Sequence, residues 1–217
     1  MKKLLTLIAA AFLTSLTNGQ PAWAQAEFLI SASLPASTQL NITPSKWADA
    51  DANGIAEFVS VQEGVTELVF ANLELVEDDQ GQPLGIFLPG DGIFWGLDIG
   101  GDAAGLPDIT IDYQNEANPN APNGGLDKKG TITSFKVTGG PGPEDQVTTL
   151  IPNKAGSLGD LPFNYDADTD LANGFLRLFL GISDGSDNAP ASSEPFTPGD
   201  APGLYSGTLT ISITSNP

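Results

Sequence analysis

The sequence predicts an all-β fold, an immunoglobulin-like β-sandwich with long acidic loops. Three observations carry this expectation. Glycine (25) and proline (17) interrupt the chain at short intervals, and such residues mark turns. Between them lie short runs rich in Val, Ile, Thr and Phe that alternate apolar with polar side chains, the period of a half-buried strand. No long window holds the i, i+3, i+4, i+7 spacing of an amphipathic helix. About ten strands of this kind suit a sandwich with Greek-key wiring.

The first residues read as an export signal rather than as part of that fold. Lys2 and Lys3 precede an apolar run, Leu4 to Leu13, and Ala22-Trp23-Ala24 gives a small-x-small cleavage pattern. The run is too short for a membrane span. Cleavage after Ala24 is expected, with Ala26 as the other candidate position. Residues 25–217 then form a single domain, exported through the periplasm to the cell surface, with no membrane span.

The predicted strands follow in order. Glu27 to Leu34 alternates Phe28, Ile30, Ala32 and Leu34 on one side, and Thr38 to Ile42 continues as a second short strand. Ala56 to Val61 and Thr66 to Leu75 come next, then the apolar runs Gly85 to Leu88 and Ile93 to Ile99. Asp108 to Tyr113, Thr131 to Thr138 and Gln146 to Ile151 follow. Gly174 to Ile182 is the most apolar internal run and is expected to be central. Tyr205 to Thr214 alternates Leu209, Ile211 and Ile213 against Thr and Ser. Gly100 to Pro107, Asn115 to Lys129, Gly139 to Glu144, Asn153 to Asp170 and Asp184 to Pro202 read as surface connections.

Charge and missing residue types exclude several functions. Eight Lys and Arg stand against 27 Asp and Glu, for a formal net charge of −19, and loss of the signal makes the remainder more acidic. Such a surface repels phosphate backbones, so no nucleic-acid partner is expected. There is no Cys and no His. Disulfides, zinc sites built from those residues, Cys nucleophiles and Ser-His-Asp triads are therefore excluded. The chain is not expected to be an enzyme, and a carboxylate hydrolase ranks last among the readings, because nothing places two carboxylates across one cleft.

The two ends of the chain carry a resemblance. The stretch Glu27 to Trp47, "EFLISASLPASTQLNITPSKW", and the stretch Gly199 to Ser215, "GDAPGLYSGTLTISITS", together resemble the alpha-class fimbrial major subunits of the chaperone–usher pathway. The matching residues are Phe28, Ile30, Ala32, Leu34 and Pro35 at the start. At the end they are Gly203, Tyr205, Ser206, Gly207, Leu209, Ile211 and Ile213. The residues between, Asp49 to Pro198, share no visible pattern with that class. The resemblance implies a pilin-type sandwich lacking one strand, a structural fimbrial subunit with a role in adhesion. It implies donor-strand exchange with identical subunits after a periplasmic chaperone and an outer-membrane usher have handled the chain. Residues 25–35 would hold the donor strand, with Phe28, Ile30, Ala32 and Leu34 as its buried positions. Tyr205, Leu209, Ile211 and Ile213 would line the acceptor groove, and the chain would stop there because a neighbour supplies the next strand. Phe28, Ile30 and Leu34 would contribute ~1.5–3 kcal/mol each on burial.

The alternative keeps Glu27 to Leu34 as the first strand of its own closed sandwich, a secreted module that binds carbohydrate or calcium. Asp49, Asp51, Asn53 and Gly54 occupy positions 1, 3, 5 and 6 of a calcium-loop spacing, with Glu57 at position 9. Position 12 is Ser60, so the bidentate carboxylate is missing. No cofactor is expected apart from such a calcium ion. Trp95 invites a glycan-stacking role for a host or surface glycan, but its neighbours Phe94, Leu97 and Ile99 point to packing. Tyr205 reads as a strand-start tyrosine whose hydroxyl ties a corner of the sandwich.

Overall fold

A computed structural model of the chain describes residues 28–33, 40–48, 57–65, 67–101, 107–116, 125–139, 147–166, 175–201 and 203–214. Residues 1–24, read above as an export signal, lie outside them. So do Leu34, Asp49, Asp51 and Asn53.

The fold is all-β. Among the described residues the strands are β1 (Phe28–Ser33), β2 (Leu40–Ala48), β3 (Glu57–Val61), β4 (Glu67–Phe70), β5 (Leu73–Glu77), β6 (Pro83–Pro89), β7 (Ile93–Gly101), β8 (Ile109–Asn115), β9 (Gly130–Gly139), β10 (Val147–Ser157), β11 (Phe163–Tyr165), β12 (Phe175–Ile182) and β13 (Tyr205–Ile213). One short helix, α1 (Leu126–Lys129), precedes β9, and a 3-10 turn, Leu158–Asp160, follows β10. No described helix is long and apolar enough to cross a membrane.

The strands form a five-stranded sheet in the order β11-β8-β13-β1-β4, a six-stranded sheet in the order β10-β9-β12-β7-β2-β3, and the hairpin β5-β6. Pairing is antiparallel throughout except between β1 and β13. Both large sheets feed one core. Leu68, Ile109, Ile111, Leu209 and Ile211 come from the first sheet, and Leu97, Ile99, Ile132, Leu176, Leu178 and Leu180 from the second. At roughly 25 cal/mol per Å² of apolar surface removed from water, this shared core is the main favourable term.

Most predicted strands coincide with observed ones, and β12 is internal to its sheet, between β9 and β7. Three expectations need correction. The run Thr66 to Leu75 is two strands: β4 joins the five-stranded sheet and β5 the hairpin, with the break at Asn72, whose carbonyl accepts from the Gly90 N–H. The second strand continues well past Ile42 to Ala48, straight through Pro44. Pro44 is tolerated because its carbonyl, on the β3 side, accepts from Gln62 N at 2.8 Å, just beyond the end of β3. Its missing N–H points to that same side, away from β7, so the β2–β7 ladder loses no bond. The connections after Asn115 and after Asn153 are not plain loops. The first contains α1, and the second contains the end of β10, the 3-10 turn and β11. These are pieces of three to five residues, too short to leave a periodic signal.

Candidate functional site

The candidate site is the position that β1 occupies. Six consecutive residues pair with β13, from Phe28 opposite Tyr205 to Ser33 opposite Thr210. On the other side Phe28 to Ser31 pair with Phe70 to Glu67. The register aligns positions 28, 30 and 32 with positions 205, 207 and 209 of β13, and positions 28 and 30 with Phe70 and Leu68 of β4. Tyr205, Leu209, Phe70 and Leu68 are all buried. In this single chain β1 is thus built into its own sheet, in the place the self-contained alternative expected.

The strand is tied to its body in an unusual way. The next strand in sequence, β2, belongs to the other sheet, so β1 has no hairpin partner. Removing it would leave two ladders open at once. The β13 ladder is regular: seven pairs with β8 and six with β1 run without a register shift. The outer edges of the two sheets differ from this. β11 and β4 have three and four residues. β3 has five, with an irregularity in its ladder at Lys46/Trp47. β10 is long, but it carries Pro152 and two register shifts. Short length, bulges and proline are the usual devices that keep an edge from pairing with another chain.

The proposed acceptor residues are placed as follows. Leu209 and Ile211 are fully buried in the core, and Ile213 packs against it half-buried. Tyr205 is buried and donates its hydroxyl to the carbonyl of Ala201 at 2.6 Å, closing the turn that leads into β13. Tyr205 therefore ties a corner, as its position in the sequence suggested. The loop before it is held by Lys129, which donates to Pro195 O at 2.9 Å and pairs with Asp200 at 2.9 Å. Burial alone would raise the Asp200 carboxyl. The hydrogen bond from Lys129, the donors of Thr197 and the Lys129 charge outweigh that and hold it below its ordinary value.

Of the calcium-loop residues only Glu57 is described, exposed at the start of β3 opposite Ala48. Among the described residues no three Asp or Glu side chains converge as a metal site. Trp95 is buried, and its indole N–H donates to Val69 O at 3.1 Å. Its ring belongs to the core and offers no stacking surface.

Sequence reasoning missed a second cluster, on the face of the six-stranded sheet turned away from the core. Arg177 of β12 lies directly opposite Asp98 of β7. Its Nε and Nη2 donate to the two carboxylate oxygens at 2.7 and 2.8 Å, and both side chains are buried. The guanidinium also lies 4.6 Å from the Trp47 ring centroid. Burial pushes the Asp98 carboxyl up, and the Arg177 hydrogen bond and charge oppose it. Around the pair Phe179 meets Trp47, Phe94 and Phe135 edge to face, with centroids 5.2–5.8 Å apart. Rings set at these angles pack against one another and give no shared flat platform for a sugar. A signal was present: an Arg inside "GFLRLFLGI" and an Asp inside "IFWGLDIG" each stand in an apolar strand, and a buried charge needs a partner.

No family model matches the chain, and neither the curated proteins nor the solved structures give a match.

Proposed function

We propose that the chain is a non-enzymatic structural subunit of a surface fimbria, exported by its first 24 residues. It would have an immunoglobulin-like, pilin-type sandwich and be joined copy to copy by exchange of β1. A role in adhesion, and a chaperone and usher that deliver the subunit, belong to the same reading. The observation that supports it most is the regular, two-sided slot between β13 and β4, filled by a strand with no hairpin tie. Exchange of such a strand replaces contacts within a chain by identical contacts between chains, so it costs little beyond the ordering of the link. The blunted outer edges leave this slot as the place where strand addition would occur.

The location of β1 in its own chain favours a second reading, a self-contained secreted sandwich that binds carbohydrate or calcium. One experiment separates the two. The chain has no cysteine, and Ser33 stands opposite Thr210. In the variant Ser33→Cys with Thr210→Cys, oxidised after assembly at high concentration, exchange predicts a ladder of disulfide-linked species on a non-reducing gel. A single band at monomer size under all conditions overturns exchange. In addition, Ile30→Asp is expected to abolish the ladder while the body keeps its far-UV spectrum.

A further inference from the structure

Tyr113, Asn115 and Asp127 lie near one another where β8 ends and β13 begins. Tyr113 and Asn115 are two residues apart on β8 and so share a face. Across the ladder they stand level with Leu209 and Gly207. The phenol of Tyr113 leans diagonally over Gly207, so closely that a side chain there would collide with its oxygen. This carries the hydroxyl toward Asn115. The side-chain oxygen of Asn115 in turn accepts from the backbone N–H of Asp127 at 3.2 Å, which brings the start of α1 to the same spot.

Two oxygens at this spot are buried without a hydrogen-bond partner, the Tyr113 hydroxyl and Oδ1 of Asp127. Tyr113 as a residue is only 9% exposed. An unsatisfied buried polar group costs about 1–3 kcal/mol, and native structures leave few of them. The surroundings are negative. Burial first, then the charges of Asp127 and Glu116, push the Tyr113 hydroxyl far above its ordinary value. Both lysines of α1 are engaged elsewhere, Lys129 with Asp200 and Lys128 with Glu194. The only side chain hydrogen-bonded to the Glu116 carboxylate among the described residues is the Ser206 hydroxyl, at 2.8 Å.

Side-chain oxygens in negative surroundings suit a hard cation and not a transition metal, which would call for His or Cys. We propose that Tyr113, Asn115 and Asp127 frame a site for one cation of the calcium class, with Glu116 adding charge nearby. Asp127 supplies the anionic ligand, Asn115 the neutral carbonyl oxygen, and Tyr113 its phenol oxygen, directly or through a cation-bound water. With so few carboxylates the affinity belongs in the range of extracellular modules, about 10⁻⁴–10⁻³ M. The site uses none of the residues of the Asp49–Glu57 sequence and does not depend on β1 exchange.

The test uses the mature protein, stripped with chelator and titrated with CaCl₂ or MgCl₂ at constant ionic strength. Thermal unfolding and calorimetry are the readouts. The expected result is a saturable rise in Tm with one calcium per chain, larger than for magnesium. Asp127→Asn should weaken calcium binding about tenfold or more, the loss of roughly 1.4 kcal/mol. Tyr113→Phe supplies a second, milder test. It should weaken calcium binding while leaving the cation-free Tm unchanged or higher, because an orphan hydroxyl has been removed. The combined variant Asp49→Asn, Asp51→Asn, Glu57→Gln should keep the response. The proposal is overturned by any of three results: no saturable response, a response equal for magnesium and kept in Tyr113→Phe, or a response lost in the combined loop variant. A water bridging these groups would give the first of these.

Discussion

The two large sheets share a core but treat their outer faces in opposite ways. The six-stranded sheet is packed on both sides: Leu176, Leu178 and Leu180 of β12 face the core, while Phe175, Arg177 and Phe179 face the aromatic cluster. Among the described residues the five-stranded sheet is packed on one side only. Its outer face shows Thr208, Thr210 and Ser212 of β13 and Thr110, Asp112 and Gln114 of β8, none of them buried. No strand of that sheet contains a Lys or Arg. The difference assigns distinct jobs to the two halves. A sheet packed on both faces resists disruption, and under the proposed exchange a sheet packed on one face would give up a strand without dismantling a second layer.

The largest effect that would break this contrast lies at Asp98 and Arg177. Asp98→Ala leaves a buried guanidinium unpaired, and the expected loss is about 3–5 kcal/mol, read as a fall in the urea midpoint at unchanged slope. Thr210→Ala on the exposed face of the other sheet should change stability by no more than about 0.5 kcal/mol. Replacing the ion pair as a unit, Asp98→Leu with Arg177→Met, should recover much of the loss, because well-packed apolar pairs often match buried ion pairs. Equal losses in Asp98→Ala and Thr210→Ala would show that the outer face of the six-stranded sheet is not a second packed layer.

How far the sequence revealed this depended on range. Alternation within one strand marked the ends well: Phe28 to Ser33 and Tyr205 to Ile213 were both foreseen, as was the corner made by Tyr205. Pairing across the sheet was beyond reach. Arg177 and Asp98 are 79 residues apart, and each alone looks like an oddity in an apolar run. Their relation exists only once β12 and β7 are in register. The parallel pairing of β1 with β13 was equally hidden, because period-two alternation has no direction. Tyr113, Asn115 and Asp127 meet through a strand, a ladder neighbour and a four-residue helix, and none of these relations leaves a local motif.

A middle-sized effect sharpens the comparison through two glycines, each with an aromatic ring lying across it. In the six-stranded sheet a side chain at Gly96 would strike the Trp47 indole; in the five-stranded sheet one at Gly207 would strike the Tyr113 phenol. Overpacking of this kind costs about 1–3 kcal/mol. Trp47 is pinned by its hydrogen bond to Ser45 at 2.7 Å and by the Arg177 guanidinium, so it cannot yield. Gly96→Ala should therefore fall at the upper end. The Tyr113 hydroxyl has no hydrogen bond to lose, so Gly207→Ala should fall at the lower end. The reverse order in urea unfolding would mean that the ring over Gly207 is the more tightly held.

The smallest effect is the pH dependence, and its sign differs between the loop carboxylates and the buried ion pair. Asp200, before β13, and Asp160, in the turn after β10, both titrate below their ordinary value. For Asp160 the chief cause is the Ser192 hydroxyl, opposed by slight burial and reinforced by the Ser157 N–H and hydroxyl. A carboxylate with a depressed folded pKa contributes stability above its unfolded value near 3.9 and loses it as pH falls through the folded value. Both groups should therefore weaken the fold progressively below about pH 4. Asp98 has the opposite sign: with its folded pKa raised by burial, its titration favours the fold at low pH, and that contribution fades as pH rises through the folded value. Asp160 is largely solvated, so most of the acid loss should come from Asp200 and its partner Lys129. Urea midpoints measured from pH 6 to pH 2 should fall less steeply in Asp200→Asn than in the parent, and Lys129→Met should flatten the same limb. An unchanged slope in both variants would place the acid sensitivity elsewhere and remove the Lys129–Asp200 contact as the anchor of the last strand.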